Sequence, residues 1–99
     1  VTTRQQTGGG RGLVVLRPTT YHDARTIGEA LRSHYLVVLD ISAMDADDSY
    51  RLVDFVSGLV FGLGGNIDIV TSVVLLLVPA GVTAMDDAEQ LTGSFFNQS

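Results

Sequence analysis

Three short aliphatic runs carry almost no polar alternation: Leu13–Leu16 (LVVL), residues 35–41 (YLVVLDI) and residues 73–78 (VVLLLV). A strand with one face in water alternates apolar and polar side chains. A run without alternation is covered on both faces, as in a sheet that carries helices. None of the three approaches the ~20 apolar residues of a membrane span. A helix-length segment separates the first two, and strand–helix–strand at that spacing calls for a parallel pair joined by a right-handed crossover.

The first helix has a legible start. Pro18 holds Arg17 extended, Thr20 is placed to cap, and Asp23 three residues on completes a capping box. At about 100° per residue, Tyr21, Ala24, Ile27, Gly28 and Leu31 share one face, and the pattern ends near Ser33 and His34. The second helix is expected from about Asp47 to Phe61 or Gly62, with Asp45, Asp47 and Asp48 at its positive end and the Gly62-Leu63-Gly64-Gly65 run ending it. Residues 66–70 alternate as a half-exposed strand, and residues 73–78 form a buried one stopped by Pro79. The expected fold is α/β, a two-layer sandwich in the order β-α-β-α-β-β, with two helices on a small mixed sheet. Residues 1–12, polar and glycine-rich, read as the end of a flexible linker, 13–82 as the domain, and 83–99 as a tail with a short helical turn around 86–91. The chain opens on Val1 without a Met, so it is expected to be part of a longer protein.

Composition removes several function classes. The net charge is −5, all six cations are Arg, and there is no basic stripe, which disfavours nucleic acid and anionic membrane as partners. Without Cys, disulfides, thiolate metal sites and cysteine nucleophiles are excluded. The Gly8–Gly12 cluster precedes a strand and the Gly62–Gly65 cluster ends a helix, whereas a phosphate loop follows a strand and opens a helix. Counted from Asp45, a calcium loop would need Gly at Tyr50 and Glu at Val56, so the three carboxylates read as helix capping. His22 and His34 stand at opposite ends of one helix without a metal-ligand spacing. No catalytic residue, metal or cofactor is assigned.

The second helix carries the informative surface. Leu52, Val56, Leu59 and Leu63 form its sheet-facing stripe, widened by Val53 and Val60 on one flank and Phe55 on the other. Opposite lie Tyr50, Asp54, Ser57 and Phe61, with Gly58 and Gly62 one turn apart beneath Arg51. A surface helix is normally polar there. Glycine inside a helix costs up to ~1 kcal/mol relative to alanine, which suggests close approach of another backbone at Gly58, either a partner's or that of the first helix. A homodimer through Gly58, Phe61 and Gly62 is the simplest cover for such a patch. Tyr50 and Phe55 are expected to anchor a partner.

Val14-Val15-Leu16-Arg17-Pro18, Tyr21-His22-Asp23-Ala24, the stretch from Arg51 to Gly58 (RLVDFVSG), the glycine turn and Leu76-Leu77-Val78-Pro79 follow one another as in the C-terminal domain of SepF, a bacterial cell-division protein. The likeness spans roughly 13–82, and the ending from Phe95 to Ser99 resembles actinobacterial members more loosely. The resemblance implies a non-enzymatic, dimeric adaptor that can assemble further and binds the C-terminal peptide of the tubulin-like protein FtsZ. It further implies a cytoplasmic protein at the division site, tethered to the inner face of the membrane by an N-terminal amphipathic helix absent from this chain. Family peptide-binding positions map to Ser49, Tyr50, Phe55 and Leu75. This chain departs from the pattern at Tyr50, where a basic residue is usual, at Leu75, where an aromatic is usual, and at Asp40, where Asn is usual. A second reading stays open: a SepF-like paralogue, or a small-ligand-sensing α/β domain using the 45–48 loop, without FtsZ binding.

Overall fold

The computed structural model describes the backbone of residues 2–5 and residues 12–82 in full; the helical turn expected at 86–91 lies outside the described residues. Elements follow in the order β1 (Thr2–Gln5), β2 (Leu13–Leu16), a 3-10 turn (Tyr21–Asp23), α1 (Ala24–Arg32), β3 (Leu36–Asp40), α2 (Ala46–Gly62), β4 (Asn66–Thr71) and β5 (Val74–Val78). The strands form one mixed sheet in the order β1-β2-β3-β5-β4. β2 and β3 are the expected parallel pair, in register from Leu13 opposite Leu36 to Leu16 opposite Leu39. β5 lies antiparallel to β3 and forms a hairpin with β4, bulged between Ile69 and Thr71.

One strand was not anticipated. Thr2–Gln5, inside the segment read as linker, pairs antiparallel with β2. Its local signal is weak, with only two β-branched residues, and the partner it satisfies is the open edge of β2, which a local reading of this segment cannot see.

Both helices lie on the face of the sheet that carries Val14, Leu16, Val37, Leu39, Leu75 and Leu77, and these pack with Ile27, Leu31, Leu52, Val56 and Val60 into the main core. The opposite face holds a second buried cluster of Leu13, Leu36, Val38, Leu76 and Val78. Burial on both faces explains the unbroken aliphatic runs. Along α1 the inward face is Ala24, Ile27, Gly28 and Leu31, as the periodicity indicates. Along α2 the buried stripe is Leu52, Val56 and Val60, rotated from the expected one. Leu59 turns toward α1, its Cδ2 lying 3.4 Å from where a Cβ on Gly28 would stand, and Leu63 leaves the helix as an exposed cap residue. The cause is α1, which occupies one flank of α2 and rolls its sheet-facing side toward Val60.

The helix starts are held as their sequences indicate. The Thr20 hydroxyl accepts the His22 N–H at 3.2 Å, and the Asp23 carboxylate accepts the N–H groups of Thr19 and Thr20. At α2 the Asp45 carboxylate accepts the Asp48 N–H at 2.8 Å. After α1 the chain turns through His34 at φ +66°, with the His34 and Tyr35 N–H groups returning to the carbonyls of Leu31 and Ala30. A left-handed backbone costs an L-residue roughly 1–2 kcal/mol, of which glycine's extra unfolded-state freedom returns part. His34→Gly should therefore stabilise the domain by about 0.5–1 kcal/mol, read as a higher urea midpoint at unchanged slope. An unchanged or lower midpoint would mean that the exposed imidazole contributes more than the backbone loses.

Candidate functional site

The first turns of α2 tie the helix layer together and present the expected binding residues. Asp48 reaches out of α2 to accept the Tyr21 N–H at 3.2 Å. The Tyr21 ring then meets Phe55 edge-on at 6.3 Å between centroids, and the Arg51 guanidinium lies 4.2 Å from its centre. This arrangement holds the 3-10 turn against α2. It also engages two of the three clustered carboxylates in backbone hydrogen bonds, Asp45 as cap and Asp48 as brace. Among the described residues no group of three or more His, Cys, Asp or Glu is placed to hold a metal ion.

The four expected peptide-binding positions do not share one surface. Tyr50 is 72% exposed and points away from α1. Phe55, five residues on and so about 140° around the helix, lies on the α1 flank, 38% exposed beside Tyr21. Ser49 is half-buried, its hydroxyl donating to the Ala46 carbonyl at 2.9 Å. Leu75 is 8% exposed and belongs to the main core, across the strand pair from Ile69. Tyr50 and Phe55 are thus the exposed members of the four, on different flanks of α2, while Leu75 lies in the core.

The expected dimerisation positions are all open. Phe61 is 83% exposed, and a Cβ built on Gly58 or Gly62 meets nothing within 4 Å among the described residues. The first helix is not the reason for Gly58; the glycine that lets the two helices approach is Gly28, against Leu59.

Two features were not read from the sequence, a pairing of Asp40 and a cavity. Arg17 and Asp40, at the ends of the parallel strands, face each other at 3.8 Å. Hydrogen bonds from Ser42, its side chain and its N–H, hold the Asp40 carboxyl below the usual carboxylate range, with Arg17 adding a smaller pull in the same direction. The second is a cavity of about 220 Å³ between α2 and β4, lined by Ser57, Val60, Phe61, Gly65, Asn66 and Ile67. The alternation at residues 66–70 signals a half-exposed strand, but not that it closes the sheet beside a helix.

Residues 13–83 match the family model of cell division protein SepF. The chain is 52% identical over 89 residues to cell division protein SepF 2 of Streptomyces coelicolor, covering 88% of this chain and 42% of that protein. It is 47% identical to SepF of Cutibacterium acnes, covering 88% of this chain and 52% of the relative. The chain therefore spans about half the length of these relatives. Among solved structures it resembles a SepF-like protein from Archaeoglobus fulgidus with a TM-score of 0.63, over 68% of this chain and 83% of the other. At 20% identity that likeness concerns the fold.

Proposed function

The chain belongs to the SepF family of cell-division proteins, and on that premise we propose that it is a non-enzymatic adaptor that binds the C-terminal peptide of FtsZ. It acts as a homodimer paired through Gly58, Phe61 and Gly62, and a segment outside this chain tethers it to the inner face of the membrane at the division site. Among the described residues no helix is long and apolar enough to cross a membrane. The observation that carries the reading is the surface of α2. It exposes Tyr50 and Phe61 and leaves open space over two glycines. A surface of exposed aromatic anchors suits recognition.

The peptide contacts proposed are Ser49, Tyr50 and Phe55, with Leu75 beneath them as part of the floor. A helix is about 10 Å across, so three or four extended residues cross it, and a tail peptide can touch both flanks. Affinity should be of micromolar order, because a short segment loses conformational freedom when it binds. Phe55→Ala is expected to weaken binding of a labelled FtsZ tail peptide at least tenfold by fluorescence anisotropy, with the circular dichroism spectrum unchanged. Loss of the fold would place Phe55 in the core, and unchanged affinity would remove it from the site.

A further inference from the structure

The sheet order β1-β2-β3-β5-β4 leaves two sides to protect, and they are protected differently. β4 carries a charge, Asp68, and a bulge between Ile69 and Thr71. Both hinder a second chain from pairing along it. On the other side β2 would be the edge were β1 absent, and it has neither feature. Its residues Leu13-Val14-Val15-Leu16 are uncharged and aliphatic, and they pair with β3 in unbroken register. The backbone groups at this edge follow from the ladder. The Gly12 carbonyl accepts the Leu36 N–H at 3.1 Å, and Leu13 stands opposite Leu36. Strand alternation then turns the N–H and C=O groups of Val14 and Leu16 toward β3, and those of Leu13 and Val15 away from it. Across from Leu13 and Val15 stand Gln5 and Thr3 of β1. The cover of β2 is thus two hydrogen-bonding residue pairs. An outer strand of four residues opens at a small fraction of the cost of unfolding a domain.

We infer that β1 is a removable guard of the β2 edge: residues Thr2–Gln5 occupy it, and when they leave, the bared edge pairs with the same edge of a second copy. The strand itself names that partner. In an antiparallel pair with its twofold axis at Val14, Leu13 of one copy meets Val15 of the other and Val14 meets Val14. Leu13 and Val15 both turn their hydrogen-bonding groups to the edge, so this register forms two such pairs, as many as β1 supplies. Every cross-strand contact within it is aliphatic, and no charge is opposed to a like charge. The helix-bearing side of the edge is also open, for a groove runs between α1 and β2, with Val14, Leu16, Thr26 and Ala30 among its lining. The guard and the second copy therefore compete for the same backbone groups, and the guard has the advantage of belonging to the same chain.

The test compares the parent chain with Thr3→Pro and Gln5→Pro, each of which removes an N–H that faces β2. Thr2→Pro is the control, at the first position of the strand, where the N–H faces away. Sedimentation velocity is run over a concentration series, residue-resolved amide exchange is read at its dilute end, and circular dichroism follows the fold. In Thr3→Pro and Gln5→Pro the Leu13 and Val15 amides should exchange at least tenfold faster than in the parent, and those of Val14 and Leu16 less than threefold faster. Both variants should add species heavier than the parent's, in a share that rises with concentration, and Thr2→Pro should match the parent throughout. Leu13 and Val15 amides that exchange in the parent as in an open chain would overturn the inference, because β1 would then cover nothing. Faster exchange in the two variants without heavier species would overturn it too, since no second copy takes the bared edge. Heavier species in Thr2→Pro as well would separate association from the ladder and contradict it. Loss of the helical spectrum in Thr3→Pro and Gln5→Pro would make β1 a support of the fold, and the guard role would fall.

Discussion

Replacing Gly65 by alanine is expected to cost the domain roughly 3 kcal/mol or more, the upper range for forcing atoms into a packed site. The chain leaves α2 through Gly64, which sits at φ +77°, and turns at once into β4, where Asn66 pairs with Val78. Gly65 lies buried in that turn, its N–H donating to the Val60 carbonyl at 2.8 Å. A Cβ there would collide with the carbonyl oxygen of Val78, and would stand 3.2 Å from both Pro79 Cα and Val60 Cγ1. Two of these three neighbours are backbone, one of them in the hairpin that completes the sheet, so neither can turn aside as a flexible side chain would. Relief requires β4 to shift along β5 or α2 to unwind at its end, and either change opens the main core at Val60. At about 4–8 °C per kcal/mol for a domain this small, the melting temperature should fall by more than ~10 °C. A melting temperature within a few degrees of the parent would mean that the hairpin is not held against the end of α2 as described.

Gly58→Lys is expected to raise the dimer dissociation constant 100-fold or more, equivalent to about 2.7 kcal/mol. The expectation comes from a mismatch within the helix. Gly58 sits in the middle of α2 and forgoes up to ~1 kcal/mol of helix stability relative to alanine, yet none of the described residues lies within 4 Å of a Cβ built there. With no neighbour among the described residues to exclude a side chain, the proposed dimer through Gly58, Phe61 and Gly62 would supply the reason. The alanine variant then has two effects of opposite sign. Gly58→Ala should strengthen the isolated helix while weakening the dimer, and Thr26→Lys on the exposed side of α1 should leave the dimer intact. Sedimentation velocity over a concentration series reads all three. A monomeric parent removes the dimer, and a parent dimer indifferent to Gly58→Lys moves the interface off α2.

Much of this molecule was legible where its causes are local. The capping box at Thr20 and Asp23, the cap at Asp45 and the turn at Gly64 each depend on residues within a few positions, and each stands where the sequence indicates. The aliphatic runs gave the parallel pair because burial on both faces leaves a mark in composition. What escaped depends on partners distant in the chain. The stripe on α2 is turned because α1 claims Leu59, and Phe55 is drawn to Tyr21, more than thirty positions earlier. The unbroken run at 73–78 marked Leu75 as part of a buried strand, and it stands in the main core on β5, an inner strand of the sheet. Ile69 was not singled out, since nothing local marks β4 as the strand that ends the sheet.

The adaptor reading meets its most direct test in a calorimetric titration of an FtsZ C-terminal tail peptide into the purified chain, beside a scrambled peptide of equal composition. The expected result is saturable binding of one peptide per chain at micromolar affinity, none for the scrambled peptide, and no shift in melting temperature with nucleotides or divalent cations. Absence of saturable binding up to millimolar peptide, together with a melting temperature raised by a nucleotide or a metal ion, would contradict it and favour a ligand-sensing domain.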